Sequence, residues 1–274
     1  MVQKNSDNGP KTGRRVLHAG VMLLFMLGVQ LLGTVLLSLI KVGRDPELES
    51  AINTALSKGD HGPFNELLSS CTLMGTLIGG LIALLPYIIR DIAKKNYCVA
   101  WINPWAIPAL ISAGVVLNVI ASEVISMLPD QGAEATAELI AYSETEPLIA
   151  ILSVGIITPI VEEMYFRRAI INSIRDRNIP IAIILSAVVF AMLHTGTVQM
   201  GYAFVFGILF GTIYARTGNL LYSAILHMSV NTSSTLMVLG GDEAEKYAVP
   251  VITICAMITL AAGLVIFVKK RRKA

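Results

Sequence analysis

Charge is scarce in this chain of 274 residues. Only 15% of them are Asp, Glu, Lys or Arg, while 54% are hydrophobic. Soluble domains carry about 25% charged residues, so the composition excludes an ordinary soluble fold and points to a polytopic membrane protein. The net charge of +2 leaves no basic excess for nucleic acid, and no nucleic-acid partner is expected. Cysteine is nearly missing as well. Cys71, Cys98 and Cys255 are odd in number and scattered, which fits neither a disulfide framework nor zinc-ligand spacing. No His-Glu-x-x-His occurs, so the usual zinc site on one helix is absent. No Gly-x-Ser-x-Gly occurs, and no membrane serine is paired with a base. All seven aspartates read as lying in tails or loops, which removes a membrane aspartyl dyad.

Long apolar runs dominate what is there. The first starts near Val16 and runs about 25 residues, longer than the apolar core of a signal peptide, so it reads as a first membrane helix. Eight spans are predicted, at roughly 16–40, 67–89, 104–128, 147–166, 180–194, 199–215, 219–239 and 248–268. The fifth and sixth are short for a hydrocarbon core of about 30 Å. They read as a hairpin turning at Thr195-Gly196-Thr197-Val198. The organisation expected is a cytoplasmic tail (1–15), three helices (16–146), a four-segment core (147–239) and a last helix with a basic tail (240–274).

Cations mark alternate loops. Lys4, Lys11, Arg14 and Arg15 precede the first span, and Arg90, Lys94 and Lys95 follow the second. Arg167, Arg168, Arg175 and Arg177 follow the fourth, Arg216 the sixth, and Lys269–Lys273 close the chain. The segment 129–146 instead holds Asp130, Glu134, Glu138, Glu144 and Glu146 and no cation. The positive-inside rule then puts both termini in the cytoplasm, in agreement with an even number of spans. Short termini and compact size suggest a bacterial plasma membrane. Tyr97, Trp101 and Trp105 form an interfacial belt before the third span. Gly75 with Gly79, and Gly207 with Gly211, have the spacing that lets helices approach closely.

Against this background Glu162 and Glu163 stand out, because a carboxylate at membrane depth is disfavoured by ~2.5–3.5 kcal/mol on insertion scales. Glu163 and Arg167 are four residues apart, the spacing at which helical side chains meet, and a pair there would neutralise the acid. Glu162 has Phe166 at that spacing, and successive side chains diverge by about 100°. It is therefore left as the free carboxylate and the candidate general base. The plainer alternative leaves both glutamates solvated at the cytoplasmic end. Pro159 has no N–H to give, which frees the Gly155 carbonyl and kinks the helix. Downstream, His194 and His227 lie in apolar runs, with Asn231 one turn after His227. His227 and Asn231 share a face and can jointly face a developing oxyanion. Glu162 with His194 can hold and deprotonate a water. His18 and His61 look incidental.

The pattern Glu-Glu-x-x-x-Arg (162–167), Phe-x-x-x-His (Phe190 to His194) and His-x-x-x-Asn (His227 to Asn231) resembles the CAAX-protease and bacteriocin-processing family. These are the Rce1-like, type II CAAX prenyl endopeptidase, intramembrane proteases. The resemblance covers about a third of the chain and no motif position is substituted. It implies an all-helical membrane fold with an active-site cavity open to the cytosol. It also implies peptide-bond hydrolysis of a membrane-associated peptide or protein by glutamate-activated water. By motif position Glu162 and His194 activate water, His227 and Asn231 stabilise the oxyanion, and Glu163, Arg167 and Phe190 brace the site. No cofactor is favoured. Zinc is the alternative, with Glu162, His194 and His227 as its ligands. Two other functional classes stay open: an ion-coupled transporter using the same buried groups as a relay, and a non-catalytic membrane regulator. Residue counting places His194 about 10 Å deeper than Glu162 and His227, so the fifth span must tilt or residues 175–180 must dip into the membrane.

Overall fold

The structure is a computed structural model that describes residues 9–94, 101–128, 146–194 and 196–271. Every regular element among them is helical. They are α1 (Gly9–Arg44), α2 (Pro46–Ser57), α3 (Gly62–Lys94), α4 (Ala106–Ser126), α5 (Pro147–Ile174), α6 (Ile179–Met192), α7 (Thr197–Thr217) and α8 (Leu220–Arg271). Six helical stretches among the described residues are long and apolar enough to cross a membrane: in α1, α3, α4, α5, α7 and Lys246–Gly263 of α8. The other two expected spans are helical as well, but α6 has only 14 residues, about 21 Å of rise. The first half of α8 is rich in hydroxyl and amide side chains.

Local chemistry sets the ends. Asp45 accepts hydrogen bonds from the Glu47 and Leu48 amides, and Pro46 occupies the first helical position of α2. Asn178 caps α6 in the same way through Ile181 N, at 3.0 Å. Gly218 takes the left-handed conformation that closes α7 (φ 66°) and donates to Tyr214 O. In α8 the helix breaks at Gly241, with φ 47° and ψ −137°. The two last predicted spans thus follow each other across one non-helical glycine.

α5 lies at the centre, against α3, α1, α6 and α8. Ser153 donates to Leu73 O and Tyr165 to Ala83 O, at 3.1 and 2.8 Å, which fastens α5 along α3. Close helix approach comes from glycine where the spacing predicted it. A Cβ on Gly79 would lie 2.8 Å from Gln30 Cα, and one on Gly207 would lie 2.9 Å from Ala187 Cα. Gly114 does the same for α4 against α8, where a Cβ would meet Ser229 Cβ at 2.4 Å. Outward faces stay apolar: Leu17, Leu24, Leu31 and Leu39 of α1 are all exposed, as lipid contact requires.

Three sequence expectations need correction. The fourth span does not end at 166, because the helix runs on to Ile174. Arg167 and Arg168 are therefore buried helical residues, not loop cations. Asp91 is likewise not in a loop: it is buried in α3 and forms a two-pronged ion pair with Arg168. The arginine finds its counter-ion on the neighbouring helix, which is why charge near a predicted span end did not mean solvent. Finally, the tail expected over 1–15 is helical from Gly9, and Arg15 pairs with Asp176 at 2.7 Å. Residues 1–8, Lys95, Tyr97, Cys98 and the acidic stretch 129–145 lie outside the described residues.

Removing one partner of a buried ion pair costs more than the pair is worth. Asp91→Ala is expected to destabilise the protein by about 3 kcal/mol, read as a lower melting temperature in detergent. The double variant Asp91→Ala with Arg168→Met is expected to recover part of that loss.

Candidate active site

The site is built around one backbone irregularity. α5 is α-helical only at its ends and over Thr158–Glu162, and widens to π-helical geometry over Ile151–Ile157 and Glu163–Ile171. Pro159 explains the first widening. The Thr158 amide donates to Ser153 O, five residues back. In that register Val154 O would be served by residue 159, which is proline and has no N–H. Both freed carbonyls are taken by α8: Asn231 Nδ2 donates to Val154 O and the Thr232 hydroxyl to Gly155 O, each at 3.1 Å. Pro159 signalled a lost backbone hydrogen bond in the sequence, expected at Gly155; the five-residue register moves it to Val154, and the donors from α8 had no local signature. π-turns of this kind collect at functional sites.

The glutamates sit where the α-turn gives way to the second π-stretch. Arg167 Nε donates to Glu163 Oε2 at 3.0 Å, and both side chains are fully buried, as the four-residue spacing predicted. The same carboxylate does more. Its Oε1 accepts from His227 Nδ1 at 3.1 Å, and the Ser223 hydroxyl is also in reach. His227 Nε2 in turn lies 3.6 Å from Glu162 Oε2. The expectation that the two glutamates occupy separate environments is therefore incorrect. A 100° divergence holds at the Cβ atoms, but two flexible side chains reach a common imidazole. Full burial also excludes a solvated, interfacial Glu163. Glu162 keeps 17% of its side chain exposed, so of the two it is the one a substrate can approach.

Aromatic rings hold the cationic and imidazole groups in place. Phe210 stacks on His227 with centroids 4.5 Å apart, and Phe190 meets it edge-on at 5.8 Å. Phe190, Phe166 and Phe210 surround the Arg167 guanidinium at 5.2, 6.0 and 5.8 Å, a favourable desolvated cation–π arrangement. Arg167 Nη1 donates to Ser186, whose hydroxyl donates on to Phe166 O. Phe190 also packs on His194 at 4.6 Å. His194 Nδ1 lies 2.8 Å from Phe190 O. A carbonyl only accepts, so Nδ1 carries the proton and Nε2 keeps a lone pair. One ring thus touches both histidines and links α6 to α8 at the site. Glu162 lies within electrostatic reach of His227, His194 and Arg167 together.

Phe210, Ser186, Ser223 and Thr232 escaped the sequence reading. Phe210 sits between Gly207 and Gly211, and Thr232 beside Asn231, which were the only pointers to them. His227 meets a carboxylate at each nitrogen, and among the described residues no three His, Cys, Asp or Glu side chains converge as a metal site would need.

The fold and site together describe an all-helical membrane protein with a glutamate–histidine centre. Residues 144–233, the stretch that carries every motif, match the family described as "Type II CAAX prenyl endopeptidase Rce1-like". The chain is 36% identical over 78 residues to "UPF0177 protein YxdF" of Lactococcus lactis subsp. lactis (strain IL1403), covering 28% of this chain and 43% of that protein. It is 29% identical over 105 residues to "Putative membrane peptidase YdiL" of Bacillus subtilis (strain 168), covering 38% of this chain and 43% of that one. The chain thus spans less than half the length of these curated relatives. No solved structure matches it.

Thr232→Val leaves the Gly155 carbonyl without its partner and is expected to cost about 1–3 kcal/mol. Thr232→Ser, which keeps the hydroxyl, is expected to melt close to the parent protein. Thermal unfolding of both variants in detergent checks this.

Proposed function

We propose that this protein is an intramembrane endopeptidase that hydrolyses peptide bonds with a water activated by Glu162 and His194. The observation that carries the reading is the partly accessible Glu162 carboxylate, 3.6 Å from an imidazole whose other nitrogen is anchored on the buried Glu163–Arg167 pair. The carboxylate and the His194 Nε2 lone pair supply the base. As the water oxygen bonds to the carbonyl carbon, its proton passes to Glu162 and the carbonyl π-electrons move onto oxygen. His227, which in this role carries a proton on each ring nitrogen, donates to that oxyanion through Nε2–H, together with the second Nδ2–H of Asn231. The C–N bond then breaks as the departing nitrogen takes a proton, leaving a carboxylic acid and an amine. Fixed donors in a dry site do this well because they need no reorganisation.

No metal has a part in this reading. The substrates are membrane-associated peptides or proteins, of CAAX type or the bacteriocin and signalling peptides. The setting is a bacterial plasma membrane, with both termini and the site opening on the cytoplasmic side. The Rce1-like match and the similarity to a protein named as a membrane peptidase support the enzyme class.

The test uses the purified protein in detergent with an internally quenched, farnesylated peptide ending in a Cys-aliphatic-aliphatic-Ser tail. Glu162→Gln and His194→Gln are each expected to lower kcat by about 10²–10⁴-fold, the usual worth of a general base, with unchanged melting. Full activity in Glu162→Gln would sink the mechanism. Membrane peptides that accumulate in cells carrying Glu162→Gln, and not in those carrying the parent, identify the native substrate.

A further inference from the structure

Threonine inside a helix ordinarily donates its hydroxyl to the carbonyl four residues back. Thr34, Thr72, Thr217 and Thr235 all do so here, to Gln30, Leu68, Ile213 and Asn231 at 2.8–3.1 Å. Thr158 does not. Its Oγ1 is buried and makes no hydrogen bond within the protein. The carbonyl it would use is Val154 O, and that oxygen accepts from Asn231 Nδ2. The Thr158 hydroxyl is thus displaced by a residue already placed at the site. Buried polar groups without partners are few in native folds, and each calls for an explanation.

Its position supplies one. Thr158 and Glu162 are the first and last residues of the single α-helical turn between the two π-stretches, so they share a face of α5. The Asn231 amide spends one N–H on Val154 O and keeps the other. His227 Nε2 is already drawn toward Glu162 at 3.6 Å. The donors so far assigned to the oxyanion are therefore partly committed elsewhere. The unpartnered Thr158 hydroxyl lies one turn before the base and one turn after the Val154 carbonyl that Asn231 holds.

The geometry points to Thr158 as a further catalytic residue, whose hydroxyl donates with the second N–H of Asn231 to the oxygen of the scissile carbonyl as it becomes an oxyanion. This rests on the endopeptidase reading above. The hydroxyl bonds to that oxygen more strongly in the transition state than in the substrate, so its loss falls on kcat and not on KM.

The experiment compares Thr158→Val, Thr158→Ser and Glu162→Gln with the parent protein, using the same farnesylated peptide and melting in detergent. Thr158→Val is expected to lower kcat by about 100-fold, with KM within about twofold. Its melting temperature should be unchanged or raised, because it removes an unpaired buried hydroxyl. Thr158→Ser should keep most of the activity. If Thr158→Val retains its kcat, loses only in KM, or loses activity equally with Thr158→Ser, the assignment falls while Glu162-dependent cleavage keeps the endopeptidase reading standing. A lower melting temperature that accounts for the lost activity assigns Thr158 a structural role and also overturns it. If the parent shows no Glu162-dependent cleavage, the reading falls and the assignment falls with it.

Discussion

One buried carboxylate organises the centre of this molecule. Glu163 accepts from Arg167 on its own helix and from His227 on α8, while Arg167 reaches across to Ser186 on α6. Three helices are therefore tied by a single anion that has lost all contact with solvent. Coulomb attraction at such depth is strong, but the desolvation it must offset is comparably large. The arrangement holds because most of its strong groups have a counterpart: Arg167 and His227 donate to the carboxylate, and three rings and a hydroxyl surround the guanidinium, whose buried Nη2 alone lacks a hydrogen-bond partner. Its stake is orientation. With Nδ1 fixed on Glu163, the His227 ring can turn only one edge toward Glu162.

A second constraint is covalent. Pro159 denies α5 one backbone hydrogen bond, and the widened turn before it leaves two carbonyls to be served from outside. Side chains of α8 serve both. The backbone of the helix that carries the glutamates is thus completed by the helix that carries His227 and Asn231. Packing within each helix pair is governed separately by small residues, with Gly79 against Gln30 and Gly207 against Ala187. The ion pair of Arg168 with Asp91 and the Tyr165 bond to Ala83 O fasten α5 to α3 on its far side.

Much of this was legible in the sequence, for physical reasons. Apolar runs reveal membrane helices because lipid tolerates little else. The four-residue spacing of Glu163 and Arg167 foretold their pair, and Pro159 foretold a missing backbone hydrogen bond ahead of the glutamates. The failures share one cause: partners on other helices have no signature in local spacing. Arg168 looked like a loop cation because Asp91, its counter-ion, lies 77 positions away. Glu162 and Glu163 looked divergent because helix geometry describes Cβ directions and not the reach of a glutamate. Counting along α6 set the depth of His194 but said nothing of the Phe190 ring that it shares with His227. Phe210 was invisible, since a phenylalanine in an apolar run carries no mark of what it stacks upon.

The borrowing of backbone bonds between α5 and α8 has a consequence for biogenesis. During synthesis α5 emerges first, and the Val154 and Gly155 carbonyls then lack their side-chain donors from α8. His227, Asn231 and Thr232 arrive together, on one later helix. Assembly of the glutamate–histidine centre and completion of the α5 backbone therefore both wait for α8 to dock. A partly inserted chain holds the glutamates without the groups that aim them.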